Sequence, residues 1–183
     1  ASHHECLQLL IFYSFFLLYF ILMSPIYSQD KNIFDLARNG SKSEISSFFK
    51  ENKEVNCNQI NSYGFTPLIM ACYYNNKAAV LSFLERNIEL DYISPEGTAL
   101  MALAVKGNLE LTEILLANGA NPDLTNVEGI TALMYAVQFE NKKLVELLLQ
   151  YNANKKLLDN NGISAFEYAI KTKNEHIINL LKI

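Results

Sequence analysis

The sequence has no tryptophan, three histidines and three cysteines, and this scarcity limits the chemistry available to it. His3 and His4 lie at the N-terminus, so beyond residue 28 only His176, Cys57 and Cys72 remain. A structural zinc site needs four nitrogen or sulfur ligands, which these three residues alone do not supply. A Ser-His-Asp arrangement would depend entirely on His176. We therefore expect a protein that is not an enzyme, with no catalytic residue, metal or cofactor.

An excess of basic residues is also missing. Fifteen Lys and Arg stand against nineteen Asp and Glu, a formal net charge of -4, and no basic run occurs. Nucleic-acid binding proteins rely on Lys and Arg to neutralise phosphates, so this class is disfavoured. The glycine-rich phosphate-binding motifs are absent as well. Half of the 183 residues are apolar, which predicts one folded domain with a core rather than disorder.

The N-terminal region carries one long apolar run. Residues 7–23 read LQLLIFYSFFLLYFILM, with fifteen apolar residues out of seventeen. A signal peptide has an apolar stretch of roughly 7–15 residues, and a membrane-spanning helix needs roughly 17–25. The run lies between these two ranges. Three interpretations remain open: a cleaved export signal, an uncleaved membrane anchor, and a translation start misassigned upstream of Met23.

The residues after the run favour cleavage. Ser24-Pro25 ends the predicted helix, because proline disfavours helical geometry in the residue before it. Ser28 then supplies a small residue before the polar Gln29, which predicts cleavage after Ser28. Signal and anchor alike would place residues 29–183 outside the cytoplasm. We expect a periplasmic or secreted protein, or one anchored in the membrane by residues 7–23.

The rest of the chain is repetitive. Four segments align in phase on a hydroxyl residue with spacings of 32, 33 and 33, at Thr66, Thr98, Thr131 and Ser164. Each is followed by an apolar segment of about two helical turns, then by a polar break and a second segment with apolar residues at three- and four-residue spacing. The breaks are Asn75-Asn76, Gly107-Asn108, Glu140-Asn141 and Lys173-Asn174. The pattern predicts a repeated helix–turn–helix.

Local signals mark the ends of these helices. The four hydroxyl residues are N-cap candidates, and Pro67 then stands at the first helical position. One unit departs from the pattern, with Gly97 directly before Thr98, so we expect its turn to differ in shape. The second helices end at Asn87, Asn118-Gly119 and Asn152, which suit a left-handed C-terminal residue.

These features resemble the ankyrin repeat, whose consensus runs Gly-x-Thr-Pro-Leu-His, helix, turn, helix. The best local match runs from Gly107-Asn108-Leu109-Glu110 to Ala120-Asn121-Pro122-Asp123, and a divergent first unit begins at Ile33. The resemblance implies an all-α solenoid of five helix–turn–helix units with short β-hairpin-like loops. It spans a domain of residues 29–183, preceded by the signal or anchor segment of residues 1–28. The units cover about 31–60, 61–92, 93–125, 126–158 and 159–183.

Two departures from the consensus bear on packing and binding. The consensus His is replaced by Ile69, Met101, Met134 and Glu167, which puts its polar link between repeats in doubt. The family resemblance also implies a concave binding face made of hairpin tips and first helices. By position this face includes an aromatic and apolar patch of Tyr63, Phe65, Tyr73, Tyr74, Ile130 and Phe139.

Two interpretations of the patch remain open. Tyrosine and other aromatics are enriched at the centres of protein interfaces, which favours partner binding. Alternatively the rings fill the seams between neighbouring units, since scattered exposed apolar residues are normal. Cys57 and Cys72 do not obviously meet, so we expect two buried thiols.

The predicted function is a non-catalytic scaffold that binds a protein partner on the concave face. The leader and the Lys-, Asn- and Ile-rich sequence look like exported bacterial cell-envelope ankyrin proteins. Two alternatives are a membrane-tethered structural protein without a specific partner and an accessory subunit of an envelope enzyme. Fold alone does not decide among these.

Overall fold

A computed structural model describes residues 32–182. The chain divides into two units, residues 1–30 and residues 31–183. The predicted signal or anchor over residues 1–28 lies outside the described residues. Among residues 32–182, no helix has the length and apolar character needed to cross a membrane.

Residues 32–182 contain ten helices and no strand, arranged as five helix–turn–helix pairs. The first helices are α1 (Ile33–Asn39), α3 (Pro67–Tyr73), α5 (Ala99–Lys106), α7 (Ala132–Gln138) and α9 (Ala165–Thr172). The second helices are α2 (Lys42–Glu51), α4 (Lys77–Leu84), α6 (Leu109–Ala117), α8 (Lys142–Gln150) and α10 (Glu175–Leu181). This confirms the all-α fold and the helical repeats expected from the sequence.

The helices pack in two rows. Each first helix contacts the first helix of the next unit, and second helices form a row behind them. Equivalent apolar positions are buried from unit to unit, as in Leu68, Leu100 and Leu133 of the first row. Each unit buries this surface only against its neighbours, so stability is shared along the stack.

The N-caps of the first helices are those expected. The side-chain oxygens of Thr66, Thr98, Thr131 and Ser164 each accept a hydrogen bond from the N–H three residues further on, at 3.2–3.3 Å. Pro67 occupies the first turn of α3, where its missing N–H costs nothing.

The polar breaks have a structure that the sequence interpretation did not specify. The first residue of each break has a positive φ, 68° at Gly107 and 52–58° at Asn75, Glu140 and Lys173. The second residue is an asparagine that caps the following helix through its side chain, and these caps are Asn76, Asn108, Asn141 and Asn174. Each two-residue break therefore reverses the chain and starts the next helix.

The third unit has the distinct turn that its shorter sequence predicts. Ser94 and Gly97 exchange backbone hydrogen bonds of 2.9 and 3.1 Å, and Gly97 has φ 115°. In the neighbouring unit the Asn126 N–H donates to the carbonyl of Ile130, one residue further along, at 3.1 Å. The missing residue therefore tightens this hairpin.

The expected left-handed ends of the second helices are found at two of three places. Gly119 has φ 92° and Asn152 has φ 62°. Asn87 does not have a positive φ, so that prediction is wrong. The reason is that α4 ends at Leu84 and the Ile88 N–H then bonds the Arg86 carbonyl at 2.9 Å, a tight turn that replaces the left-handed cap.

Candidate protein-binding face

Asparagine side chains link neighbouring units at the breaks. Asn76 Nδ2 donates to the carbonyls of Leu36 and Gly40 at 3.1 and 3.0 Å. Asn108 Nδ2 donates to Asn75 Oδ1 at 2.9 Å. The last unit follows the same plan, with Asn174 Nδ2 donating to Glu140 Oε2 at 3.1 Å. Polar links between units thus exist without the consensus histidine, because the N-cap asparagines of α4, α6 and α10 provide them.

A second set of links joins the loops that lead into the hairpins. Here a side-chain oxygen in one unit accepts a backbone N–H from the next unit, at 2.7–2.9 Å. The pairs are Asn58 with Glu89, Asp91 with Asn121, and Asp123 with Asn154. These bonds fix the hairpins of neighbouring units against each other, which gives the face a defined shape.

Each longer hairpin is held by one Asx residue. Asn61, Asn126 and Asp159 each accept two backbone N–H bonds of 2.8–3.0 Å from the turn that follows. Two tyrosines on the first helices form hydrogen bonds with two of these Asx side chains. Tyr135 Oη accepts from Asn126 at 3.1 Å, and Tyr168 donates to Asp159 at 2.5 Å. The 33-residue spacing of both pairs is a sequence signal that our interpretation did not use.

The six predicted patch residues differ in exposure. Phe65, Tyr73 and Ile130 are 4%, 7% and 8% exposed, Tyr63 and Tyr74 are half-buried, and Phe139 is 42% exposed. Phe139 is the C-cap of α7, and Val127, at the hairpin tip of the same unit, is 71% exposed. The assignment of all six to partner binding stays a prediction.

The structure brings two of the six together with two cations. The rings of Tyr73 and Tyr74 meet edge-to-face with centroids 5.4 Å apart. Arg38 Cζ lies 5.3 Å from the Tyr74 centroid, and Lys106 Nζ lies 4.2 Å from the Tyr73 centroid. The sequence interpretation selected only aromatic and apolar residues for the patch, so both cations were left out of it.

Carboxylates concentrate at the hairpin tips of the third and fourth units. Burial and the Glu128 carboxylate raise the pKa of Glu96. Burial, Glu128 and Glu96 raise the pKa of Tyr135 to about 12. The face therefore has acidic tips, while the cations lie at the C-terminal ends of the first helices.

The residues that an enzyme or metal protein would need are dispersed. Cys57 and Cys72 are both free and buried, and burial raises the pKa of each thiol. His176 is exposed on α10, with Nε2 3.3 Å from Glu146 Oε1. Among residues 32–182, no group of three or more His, Cys, Asp or Glu residues is placed to hold a metal ion.

Paired helices, hairpins and hydrogen bonds between neighbouring units define a helical repeat protein. The sequence profile described as ankyrin repeats (3 copies) matches residues 1–126 and 100–182. The chain belongs to the ankyrin repeat family, whose repeats are generally protein–protein interaction modules and typically non-catalytic. Comparison with curated proteins finds no match.

Proposed function

We propose that the chain is an exported, non-catalytic scaffold that captures a protein partner on the concave face of its ankyrin stack. Phe139 carries this proposal. It is a large aromatic side chain, 42% exposed, at the end of a first helix where the family binds its partners. Aromatic residues bring large contact area with few rotatable bonds, and they dominate binding energy at interfaces.

Rigidity of the face supports the same function. The hairpins are joined by side-chain to backbone bonds between units, such as Asn121 N–H to Asp91 Oδ1 at 2.9 Å. Binding to such a face costs little conformational entropy in the ankyrin domain, because its hairpins are already ordered. Folding therefore prepares the face before a partner arrives.

A capture experiment tests the proposal. The full chain, purified in a mild detergent, is immobilised and exposed to an envelope extract, beside the variants Phe139→Ala and Leu81→Ala. Leu81 is the matched control, because it is 40% exposed but lies on the second helix α4. We expect the wild type and Leu81→Ala to retain one protein that Phe139→Ala loses. Equal retention by both variants would contradict a role for the concave face.

Export is a separate part of the proposal, supported by the apolar run of residues 7–23 and by Ser28 before a polar stretch. Mass spectrometry of the mature N-terminus tests it. A start at Gln29 means that the domain is released, and an intact residue 1 in the membrane fraction means that it is anchored. Recovery of the intact chain from the cytosol would contradict export.

A further inference from the structure

Four residues form a continuous row across the first three units. Arg38, Tyr74, Tyr73 and Lys106, here named the tyrosine–cation row, follow one another at 5.3, 5.4 and 4.2 Å. They come from the C-terminal ends of α1, α3 and α5. Each of the two tyrosine rings is thus in contact with a cation from a different neighbouring unit.

The two cations of the row have no carboxylate partner in the described part of the chain. The ion pairs of residues 32–182 involve Lys77, Arg86, Lys142 and His176, and none includes Arg38 or Lys106. Within residues 32–182, Arg38 Nε is buried and has no hydrogen-bond partner. A buried donor without a partner leaves this guanidinium incompletely stabilised, so an anion bound to its terminal N–H groups would be favourable.

Burial supports the same conclusion at Lys106. Its side chain is half-buried, and this desolvation lowers the pKa of its ammonium group. A nearby carboxylate would restore the stability of the charged form. Negative charge would therefore stabilise both ends of the row, and no carboxylate in the described part of the chain pairs with either cation.

A purely structural role accounts for part of this arrangement. Arg38 and Lys106 lie in the last turns of their helices, where cations offset the negative end of the helix dipole. Stacking on tyrosine adds cation–π attraction. Neither effect satisfies Arg38 Nε, because both leave this N–H without an acceptor.

We infer that the tyrosine–cation row binds a carboxylate-bearing, Asp- and Glu-rich segment of the protein partner. Arg38 holds one carboxylate through its planar guanidinium, Lys106 holds a second, and the half-buried Tyr74 ring contacts the aliphatic part of the segment between them. Glu96 and Glu128 at the hairpin tips repel the same segment, which confines it to the row. This inference rests on the proposed function, since it specifies the partner of the same concave face.

Peptide binding to the full chain tests the inference. The probes are octaglutamate and, as a neutral control, octaglutamine, each labelled with fluorescein at its N-terminus and followed by fluorescence anisotropy at fixed ionic strength. The variants are Lys106→Gln and Lys143→Gln, which remove the same charge. Lys143 is exposed on the second helix α8 and belongs to none of the ion pairs of residues 32–182. We expect octaglutamate to bind and octaglutamine not to bind. Lys106→Gln should weaken octaglutamate binding roughly tenfold, and Lys143→Gln by less than about twofold.

A second readout locates the contact at Arg38. The Nε–Hε resonance of Arg38 in a ¹⁵N-labelled chain should shift on addition of octaglutamate and stay unchanged with octaglutamine. If Lys106→Gln loses helical circular dichroism, the binding measurement uses Arg38→Lys instead. This variant keeps the positive charge but lacks the planar guanidinium. Equal binding by the Lys106 and Lys143 variants, or no shift at Arg38, would overturn the inference.

The outcomes remain distinct from those of the capture experiment. A partner lost by Phe139→Ala but retained undiminished by Lys106→Gln would support the concave-face scaffold and reject the acidic segment. Loss by both variants would support both proposals. Retention by Phe139→Ala would reject the scaffold face regardless of the peptide result.

Discussion

The side-chain amide of Asn108 donates a 2.9 Å hydrogen bond to Oδ1 of Asn75, thirty-three residues earlier in the chain. Its own Oδ1 accepts the N–H of Leu111 at 3.0 Å and so caps α6. One asparagine therefore starts a helix and joins that helix to the preceding unit. This double role explains why the stack retains polar links between units although the consensus histidine is absent.

Asn108→Ala removes both bonds, and we expect it to lower the free energy of unfolding by about 1–2 kcal/mol. Asn108→Asp keeps an oxygen for the cap but loses the amide donor, so we expect a smaller loss. Urea denaturation followed by circular dichroism measures both. If Asn108→Asp proves as damaging as Asn108→Ala, the link to Asn75 rather than the cap carries the stability.

The sequence predicted the helices and their hydroxyl caps because these depend on residues close together in the chain. Thr131, for example, caps α7 through an N–H only three residues away. The asparagine links were not predicted, since they join residues about 33 positions apart and look in sequence like ordinary polar breaks. The tyrosine–cation row was not predicted for the same reason. It combines residues of three units, which come together only when the units stack.

Cys72 is expected to stay unreactive while the protein is folded. It is fully buried on α3, at a position filled by Ala104 and Val137 in later units, and burial raises the pKa of its thiol. Because the thiolate is the reactive form, alkylation requires unfolding. Iodoacetamide labelling with peptide mapping at increasing urea should modify Cys57 before Cys72, since the nearby Arg86 partly offsets the effect of burial on the Cys57 pKa. Labelling of Cys72 in the absence of urea would contradict the prediction.

Asp159 should make the last hairpin sensitive to acid. Burial alone would raise the pKa of this carboxyl. The Tyr168 hydroxyl and the N–H groups of Ile163 and Asn161 donate to it and hold its pKa below the usual value. A lowered carboxyl pKa stabilises the fold above the pKa of the unfolded state, about 3.9, and this contribution is lost as the pH falls through the folded pKa.

Asp159→Asn copies the arrangement of Asn126 in the preceding unit, which forms the same turn with a neutral side chain. We expect the variant to lose about 0.5–1.5 kcal/mol at pH 7, and the difference from the wild type to shrink toward pH 3. Urea denaturation at the two pH values measures it. A difference that does not change with pH would mean that the charge of Asp159 contributes nothing to the last unit.

Alanine substitutions at two glycines with the same backbone conformation distinguish the cost of backbone strain from the cost of a steric clash. Gly129 and Gly162 have φ 78° and 74° at equivalent places in successive hairpins, so alanine is strained at both by roughly 1–2 kcal/mol. A Cβ at Gly162 meets nothing within 4 Å, whereas a Cβ at Gly129 would lie 2.8 Å from the Asn160 backbone nitrogen, which donates to the Glu128 carbonyl. We therefore expect Gly129→Ala to destabilise the fold clearly more than Gly162→Ala in the same urea titration. Equal losses would show that the fourth and fifth hairpins can separate without cost, and that the contact between them does not hold this end of the face in shape.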